Sequence, residues 1–387
     1  MSTIKKILLC FAFLLIFLNA AILISGKTYL YKGIANTYLK GRSGPDINEY
    51  GIFSNREIKT GTPQEWLIAG DYNSKSIPDS LEKEINKYET VAYLIIKDDS
   101  IRHEEYWEGF TQDTLSNSFS MAKTIISILV GAAITEGKIK SVDQPAGDFL
   151  PEFSTGENGR LTIKHLLTMS SGIEFDEDYA SPFAYPAAAY YGTELRKLTM
   201  GYKVTSEPGK TFKYLSGNTQ LLAFIVESAT GMKTSDYASE KLWKPMGANN
   251  KALWNLDHEN GVEKAYCCFI SNARDFARFG KLYLNHGKWK DKQLIDSNYV
   301  AQSLASANLV DINGKKNEKY GYAWWLLNYK NYEIFYARGI LGQYIICIPN
   351  KKMIIVRLGH KRASKSGDNH PKDLFVYIDA ALEMYSD

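Results

Sequence analysis

Cysteine is scarce in this chain, with four among 387 residues, at Cys10, Cys267, Cys268 and Cys347. Cys10 lies in an apolar N-terminal run and lacks the small preceding residue that a lipoprotein signal needs. The other three are odd in number, and chain neighbours rarely bridge one another, so no disulfide framework is expected. Histidine is also sparse: six scattered residues, none in a ligand spacing such as H-E-x-x-H. No metal site is therefore expected. No stretch concentrates charge of one sign, and 46 basic against 43 acidic residues leave a net charge of +3. That argues against nucleic acid as a partner. Internal repeats and low-complexity tracts are missing as well.

The N-terminus is where the composition becomes specific. Lys5 and Lys6 precede ILLCFAFLLIFLNAAILI, residues 7–24, whose one clearly polar member is Asn19. A helix over this run is about 27 Å long, close to the roughly 30 Å of a bilayer's hydrocarbon core. The run is long for a signal peptide and has no clear small-x-small cleavage site. Residues 1–26 are expected to be an uncleaved membrane anchor, with a cleaved signal as the alternative. The two lysines should stay in the cytoplasm, which puts the body outside it. Residues 27–87 are polar, with turn clusters such as Arg42-Ser43-Gly44-Pro45-Asp46, and read as a linker and lead-in.

The rest of the chain, 88–387, reads as one globular unit. VAYLIIK and IRHEEYWEG around Asp98-Asp99-Ser100 predict a hairpin. A helix-rich stretch, about 138–265, includes LTIKHLLTMSSG and TQLLAFIVESATG, each with helical apolar spacing and a closing glycine. From Tyr320 the texture turns to strands: YGYAWWLL, YEIFYARG, QYIICIP and KMIIVRLG, followed by the amphipathic KDLFVYIDAALEMY. Strands at both ends with helices between predict an α+β fold. Its antiparallel sheet would be built from both chain ends, flanked by helices, with an all-helical subdomain inserted. A cleft would lie where the two parts meet.

The first helix after the hairpin begins Ser120-Met121-Ala122-Lys123 and runs into IISILVGAAI. One reading is a helix cap with a lysine reaching out to water. The other is a nucleophile and its base, since residues three apart on a helix share a face. A serine hydroxyl needs a base, and a lysine of ordinary pKa, about 10.4, is charged at neutral pH and cannot serve as one. Burial or a third partner must relieve this. Ser-x-x-Lys also occurs at Ser2–Lys5 and Ser80–Lys83, but neither pair opens onto an apolar helix. The best third partner is Tyr214, in PGKTFKYLSGN after the Pro208-Gly209 turn. A tyrosine pressed against a lysine ammonium loses its proton more readily and can then act as the base. Ser216 offers a rival in Ser216-Gly217-Asn218. No G-x-S-x-G elbow is present, which argues against an α/β-hydrolase. Gly26-Lys27-Thr28 and Gly209-Lys210-Thr211 lack the earlier glycine of a phosphate loop.

FSMAK, LTIKHLLTMSSG, PGKTFKYLSGN and ARGILGQYIICIP, in that order and spacing, resemble the serine β-lactamase-related hydrolases over about residues 88–385. The nearest branch looks like the 6-aminohexanoate-dimer hydrolases and related esterases. The resemblance implies a β-lactamase/transpeptidase-like fold and no cofactor. It implies Ser120 as nucleophile, Lys123 as its partner and Tyr214 as general acid/base, with the N–H groups of Ser120 and Ile340 holding the oxyanion. The usual Lys/His-Thr/Ser-Gly strand edge is replaced by Arg338-Gly339-Ile340-Leu341-Gly342-Gln343, which weakens a strict β-lactamase assignment. Lys59-Thr60-Gly61 spells that motif but precedes the nucleophile. Gly339, Gln343, Ser216 and Tyr179 are the further candidates for substrate contact, and Arg338 is either a carboxylate anchor or a surface residue. The expected activity is hydrolysis of a small amide or ester through an acyl-enzyme. The alternatives are a D-alanyl peptidase, penicillin-binding protein or β-lactamase acting on cell-wall peptides or lactams, and a non-catalytic sensor of the same fold.

Overall fold

The computed structural model describes residues 2–366 and 369–385. Helix α1, Thr3–Ile24, contains no buried residue and is long and apolar enough to cross a membrane. Helix α2, Tyr29–Asn36, follows almost at once, and α3 spans Asp79–Lys87. The strands of the main sheet are β1 Leu67–Ile68, β2 Thr90–Lys97, β3 Ser100–Tyr106, β4 Trp325–Tyr329, β5 Tyr332–Gly339, β6 Gln343–Ile348 and β7 Met353–Gly359. Their order across the sheet is β4-β5-β6-β7-β2-β3-β1. Both chain ends thus build one sheet, antiparallel throughout except where the short edge strand β1 runs parallel to β3.

The near-continuous apolar run of β2 follows from burial on both faces. Ala92, Leu94 and Ile96 join one core, with Phe276 and Phe279, while Tyr93 and Ile95 join the other, with Tyr377 and Ile378. Alternate side chains therefore serve opposite layers. The first layer carries helix α4, Met121–Thr135, then α5, Ser216–Thr230, and α6, Ala273–Leu284. The second carries α7, Lys372–Tyr385, together with α3. Helix α4 is apolar all round because it is enclosed all round: Met121 to Ala133 are buried without a break. A Cβ on its Gly131 would stand 2.6 Å from the Tyr299 ring, so no larger residue fits there.

Residues 27–87 are more than a linker. Asn55–Ile58 pairs antiparallel with Ala252–Asn255, which makes it an outer strand of a second, four-stranded sheet. β1 extends the main sheet, and α2 packs against helix Tyr185–Tyr191. The short elements of the lead-in find their partners in the body rather than in one another. The structure also corrects the expectation for the cysteines. Cys267 and Cys268 are joined in a disulfide between chain neighbours, at a reversal where Cys268 takes φ +71°. Cys347 is free and buried in the sheet.

Candidate active site

The nucleophile candidate sits where a short strand turns into α4. Ser116–Asn117 pairs with Phe269–Ser271, and the Ser118 N–H donates to the Phe269 carbonyl at 2.9 Å. Phe119 then takes φ +44°, an uncommon conformation for an aromatic residue, with its N–H held by Asn117 Oδ1 at 3.0 Å. This twist delivers Ser120 to the helix N-terminus. Ser120 occupies the cap position, but its side chain makes no capping bond. Its Oγ instead takes a hydrogen bond from Lys123 Nζ at 3.0 Å.

Lys123 does not reach out to water, as it is 1% exposed. Its second partner is the Tyr266 carbonyl, 2.8 Å from Nζ. Burial pulls its pKa down to about 8, against a smaller opposing pull from Glu177. Removal from water penalises the ammonium more than its two acceptors stabilise it, so a fraction of the lysine is neutral near physiological pH. That is the relief which the sequence alone left open.

Tyr214 lies on the other side of the pair. Lys123 Nζ stands 5.2 Å from the centre of its ring. The tyrosine shares the cleft wall with Ser120, whose side chain weakly favours its ionised form. The expectation that a neighbouring ammonium eases its ionisation is not met. Burial pushes Tyr214 up to about 12, and the cation that opposes this most is Arg338, with Arg362 adding less. Arg338 is 7% exposed, with its guanidinium carbon 3.6 Å from the centre of the Trp325 ring and Nη1 donating to the Asn369 carbonyl at 2.9 Å. It is not a free surface residue.

Gly339 ends β5 and Ile340 opens the turn after it, opposite the turn before Ser120. A Cβ on Gly339 would lie 2.3 Å from the Ser118 carbonyl oxygen, so the strand end can approach this closely as glycine alone. The next residues turn sharply, with Leu341 at φ +62°. Among the described residues, neither the Ser120 nor the Ile340 N–H meets a hydrogen-bond acceptor.

Two candidates stand elsewhere than the sequence suggested. Gln343 is fully buried, and its Nε2 donates to the Ile340 and Gly359 carbonyls at 3.2 and 2.7 Å. Its Oε1 accepts from the Gly359 N–H at 3.1 Å. An amide so committed cannot contact substrate, and it braces the Ile340 turn instead. Ser216 is also fully buried, with its N–H on Glu177 Oε2 at 2.8 Å and its Oγ 3.3 Å from the Tyr179 hydroxyl. The nearby Asn218 donates to Met169 Sδ at 3.6 Å. Tyr214, not Ser216, shares the cleft wall with Ser120. Tyr179 is 56% exposed, with its hydroxyl turned in to Ser216 and, at 2.9 Å, to Glu177 Oε1. His165 closes a capping box with Thr162, as its place in a helix suggested.

Sequence reading missed Glu177, two residues before Tyr179 in a stretch that drew attention for its tyrosine. It also missed the Tyr266 carbonyl, because main-chain acceptors leave no mark in a sequence. The cleft itself, about 1010 Å³, is lined by Ser120, Tyr214, Arg338 and Ile340 and, unexpectedly, by residues 41–46 of the lead-in.

Residues 78–375 match the β-lactamase family. The chain belongs to the β-lactamase family. Members of known kind include the 6-aminohexanoate-dimer hydrolase of Paenarthrobacter ureafaciens, 26% identical over 77% of this chain and 79% of that protein. A solved Bacillus anthracis structure, provisionally assigned as a 6-aminohexanoate-dimer hydrolase, superposes with a TM-score of 0.73 at 21% identity, covering 87% of this chain and 92% of that one. A family VIII carboxylesterase does so with a TM-score of 0.66 at 16% identity, covering 83% and 99%. The fold is accordingly that of the β-lactamase and transpeptidase enzymes.

Proposed function

We propose that this protein is a membrane-anchored serine hydrolase that cleaves amide or ester bonds through an acyl-enzyme on Ser120, with its body outside the cytoplasm. The observation that carries this reading is the Lys123–Ser120 hydrogen bond at 3.0 Å, made by a lysine whose pKa burial lowers to about 8. The two shifted groups divide the proton work. Lys123, neutral in a useful fraction at neutral pH, takes the Ser120 proton as the hydroxyl attacks the carbonyl. Tyr214, which keeps its proton, passes one to the leaving group and recovers one from Lys123. The Ser120 and Ile340 N–H groups face the developing oxyanion, helped by the α4 N-terminus. Water then releases the acid in the reverse sequence.

The amide or ester class is supported by the name of the Paenarthrobacter relative and by the missing Lys/His-Thr/Ser-Gly edge. A D-alanyl peptidase or lactam-directed enzyme is the second reading, and Arg338 at the cleft wall is what favours it. The test is intact mass after a fluorophosphonate probe. Wild type should gain the mass of one probe and Ser120→Ala none; labelling of the alanine variant would remove Ser120 from the role. A panel of esters, linear amides and penicillins then separates the two readings.

A further inference from the structure

The chain immediately after α1 folds back over the nucleophile. Tyr29 donates its hydroxyl to the Pro182 carbonyl at 3.1 Å, and Gly33 lies against the Tyr191 ring. Ser43, Gly44 and Pro45 then pass beside Ser120 and divide the space around it in two. One part is the large cleft already described. The other is a separate pocket of about 470 Å³, within the usual range for small-ligand sites.

The two compartments share Ser120 and Ile340 but differ in chemistry. The large cleft is lined by Arg338, Arg362, Lys365, Glu89 and Glu108 among others. No lysine, arginine, aspartate or glutamate lines the smaller pocket among the described residues. Leu30, Ile34 and Tyr38 of the arm face Pro186, Ala187 and Tyr190 of the body. Tyr214 lines the large cleft only. A group that protonates the leaving atom must stand beside it. The leaving group therefore belongs to the charged cleft, which leaves the uncharged pocket for the acyl part. Ile34 and Tyr38 line that pocket and are still 40% and 61% exposed, so it opens outward between them.

We propose that the pocket under residues 29–45 binds a neutral aliphatic acyl chain, so that the enzyme takes medium-chain acyl esters or amides and the N-terminal arm sets the chain length. The proposal rests on the acyl-enzyme reading of Ser120 and narrows it. It also separates this chain from an enzyme for ω-amino acyl groups, because an ammonium entering the pocket would find no carboxylate on its walls.

The test uses the full-length chain in a nonionic detergent with p-nitrophenyl esters from acetyl to decanoyl. kcat/KM should rise roughly fourfold per methylene until the pocket is filled, the ratio expected from burying a CH₂ group. The hexanoyl ester should exceed the 6-aminohexanoyl ester by tenfold or more. Ile34→Trp should lower the octanoyl-to-acetyl ratio about tenfold, with Leu30→Phe as a milder second variant and circular dichroism as the check on folding. A flat chain-length profile, an unchanged ratio in both variants, or preference for the 6-aminohexanoyl ester would overturn the proposal while leaving the hydrolase reading standing. Calorimetric binding of octanoate to Ser120→Ala reads the pocket without the chemistry. Binding that Ile34→Trp weakens would uphold the pocket even if wild type turned over no ester, and absence of binding would count against it.

Discussion

At the scale of single residues, the site depends on two groups displaced in opposite directions by the same cause. Burial penalises charge, so it lowers the lysine and raises the tyrosine. With Lys123 at about 8 and Tyr214 at about 12, the proposed mechanism works through a neutral lysine and a protonated tyrosine. On a soluble ester, kcat/KM should therefore climb as pH rises through about 8 and hold across the alkaline range below the tyrosine's ionisation. A profile with no inflection near that pH would take the base role from Lys123. Tyr214→Phe keeps the ring against Trp325 and Tyr320 and should preserve stability. It should lower kcat/KM by roughly 10²–10⁴-fold, the usual range for acid–base catalysis. Ser216→Ala should lower it less, because that hydroxyl reaches Tyr179 rather than the cleft. A larger loss for Ser216→Ala, measured on the same ester, would reverse the assignment.

At the scale of elements, the site is a meeting of segment ends: the start of α4, the end of β5, and the lead-in residues 41–46. The β5 end tolerates no side chain at Gly339. Gly339→Ala should push the Ile340 turn away from Ser120 and lower kcat by at least tenfold, with a smaller change in thermal midpoint. An alanine variant of normal kcat would show that the turn has room to move. The lead-in is pinned by Asp46, which accepts from Arg42 and faces His360 Nδ1 at 3.4 Å. His360 holds its proton above the usual range because of Asp46, and Asp46 is drawn down to about 2 chiefly by His360. The aspartate's contribution is present above an ordinary carboxylate pKa and is lost as pH falls towards 2. The histidine's contribution is complete below its ordinary value near 6.5 and is lost as pH rises through its raised one. Asp46→Asn should thus cost about 1 kcal/mol at pH 5 to 6, and its deficit should shrink by pH 9 as His360 becomes neutral. A deficit that grew with pH would contradict the pairing.

At the scale of the molecule, α1 and the site belong to one continuous piece of chain. Few residues separate the end of the apolar helix at Ile24 from α2, which already walls the smaller pocket beside Ser120. The full-length chain should fractionate with membranes, and removal of residues 1–26 should release a folded, soluble body. Recovery of the full-length chain as soluble protein would sink the anchor. The polar texture of 27–87 disguised this continuity. Its strands are two to four residues long and are completed by pairing with residues far along the chain.

Read along the chain, much of this protein was already legible. The central sheet followed from strand-like runs at both chain ends with helices between them, and the helical layer from 3.6-residue spacing closed by glycine. Ser120, Lys123 and Tyr214 stood out because their motifs lie in order. Each of these signals is local, written in neighbours along the chain. What pairing in space had to supply was everything that burial and distant backbone confer. The lowered pKa of Lys123 comes from its burial, to which residues far along the chain contribute. Gln343 and Ser216 were drawn into candidate roles by motif position, yet their polar atoms are taken by Gly359, Ile340, Tyr179 and Glu177, none of which the local sequence names as partners. The bond between Cys267 and Cys268 depends on a chain reversal that residue identity does not announce. The arm over Ser120 carries only a short helical spacing, Leu30, Ile34 and Tyr38, and where that face lies is decided by the distant surface it packs on.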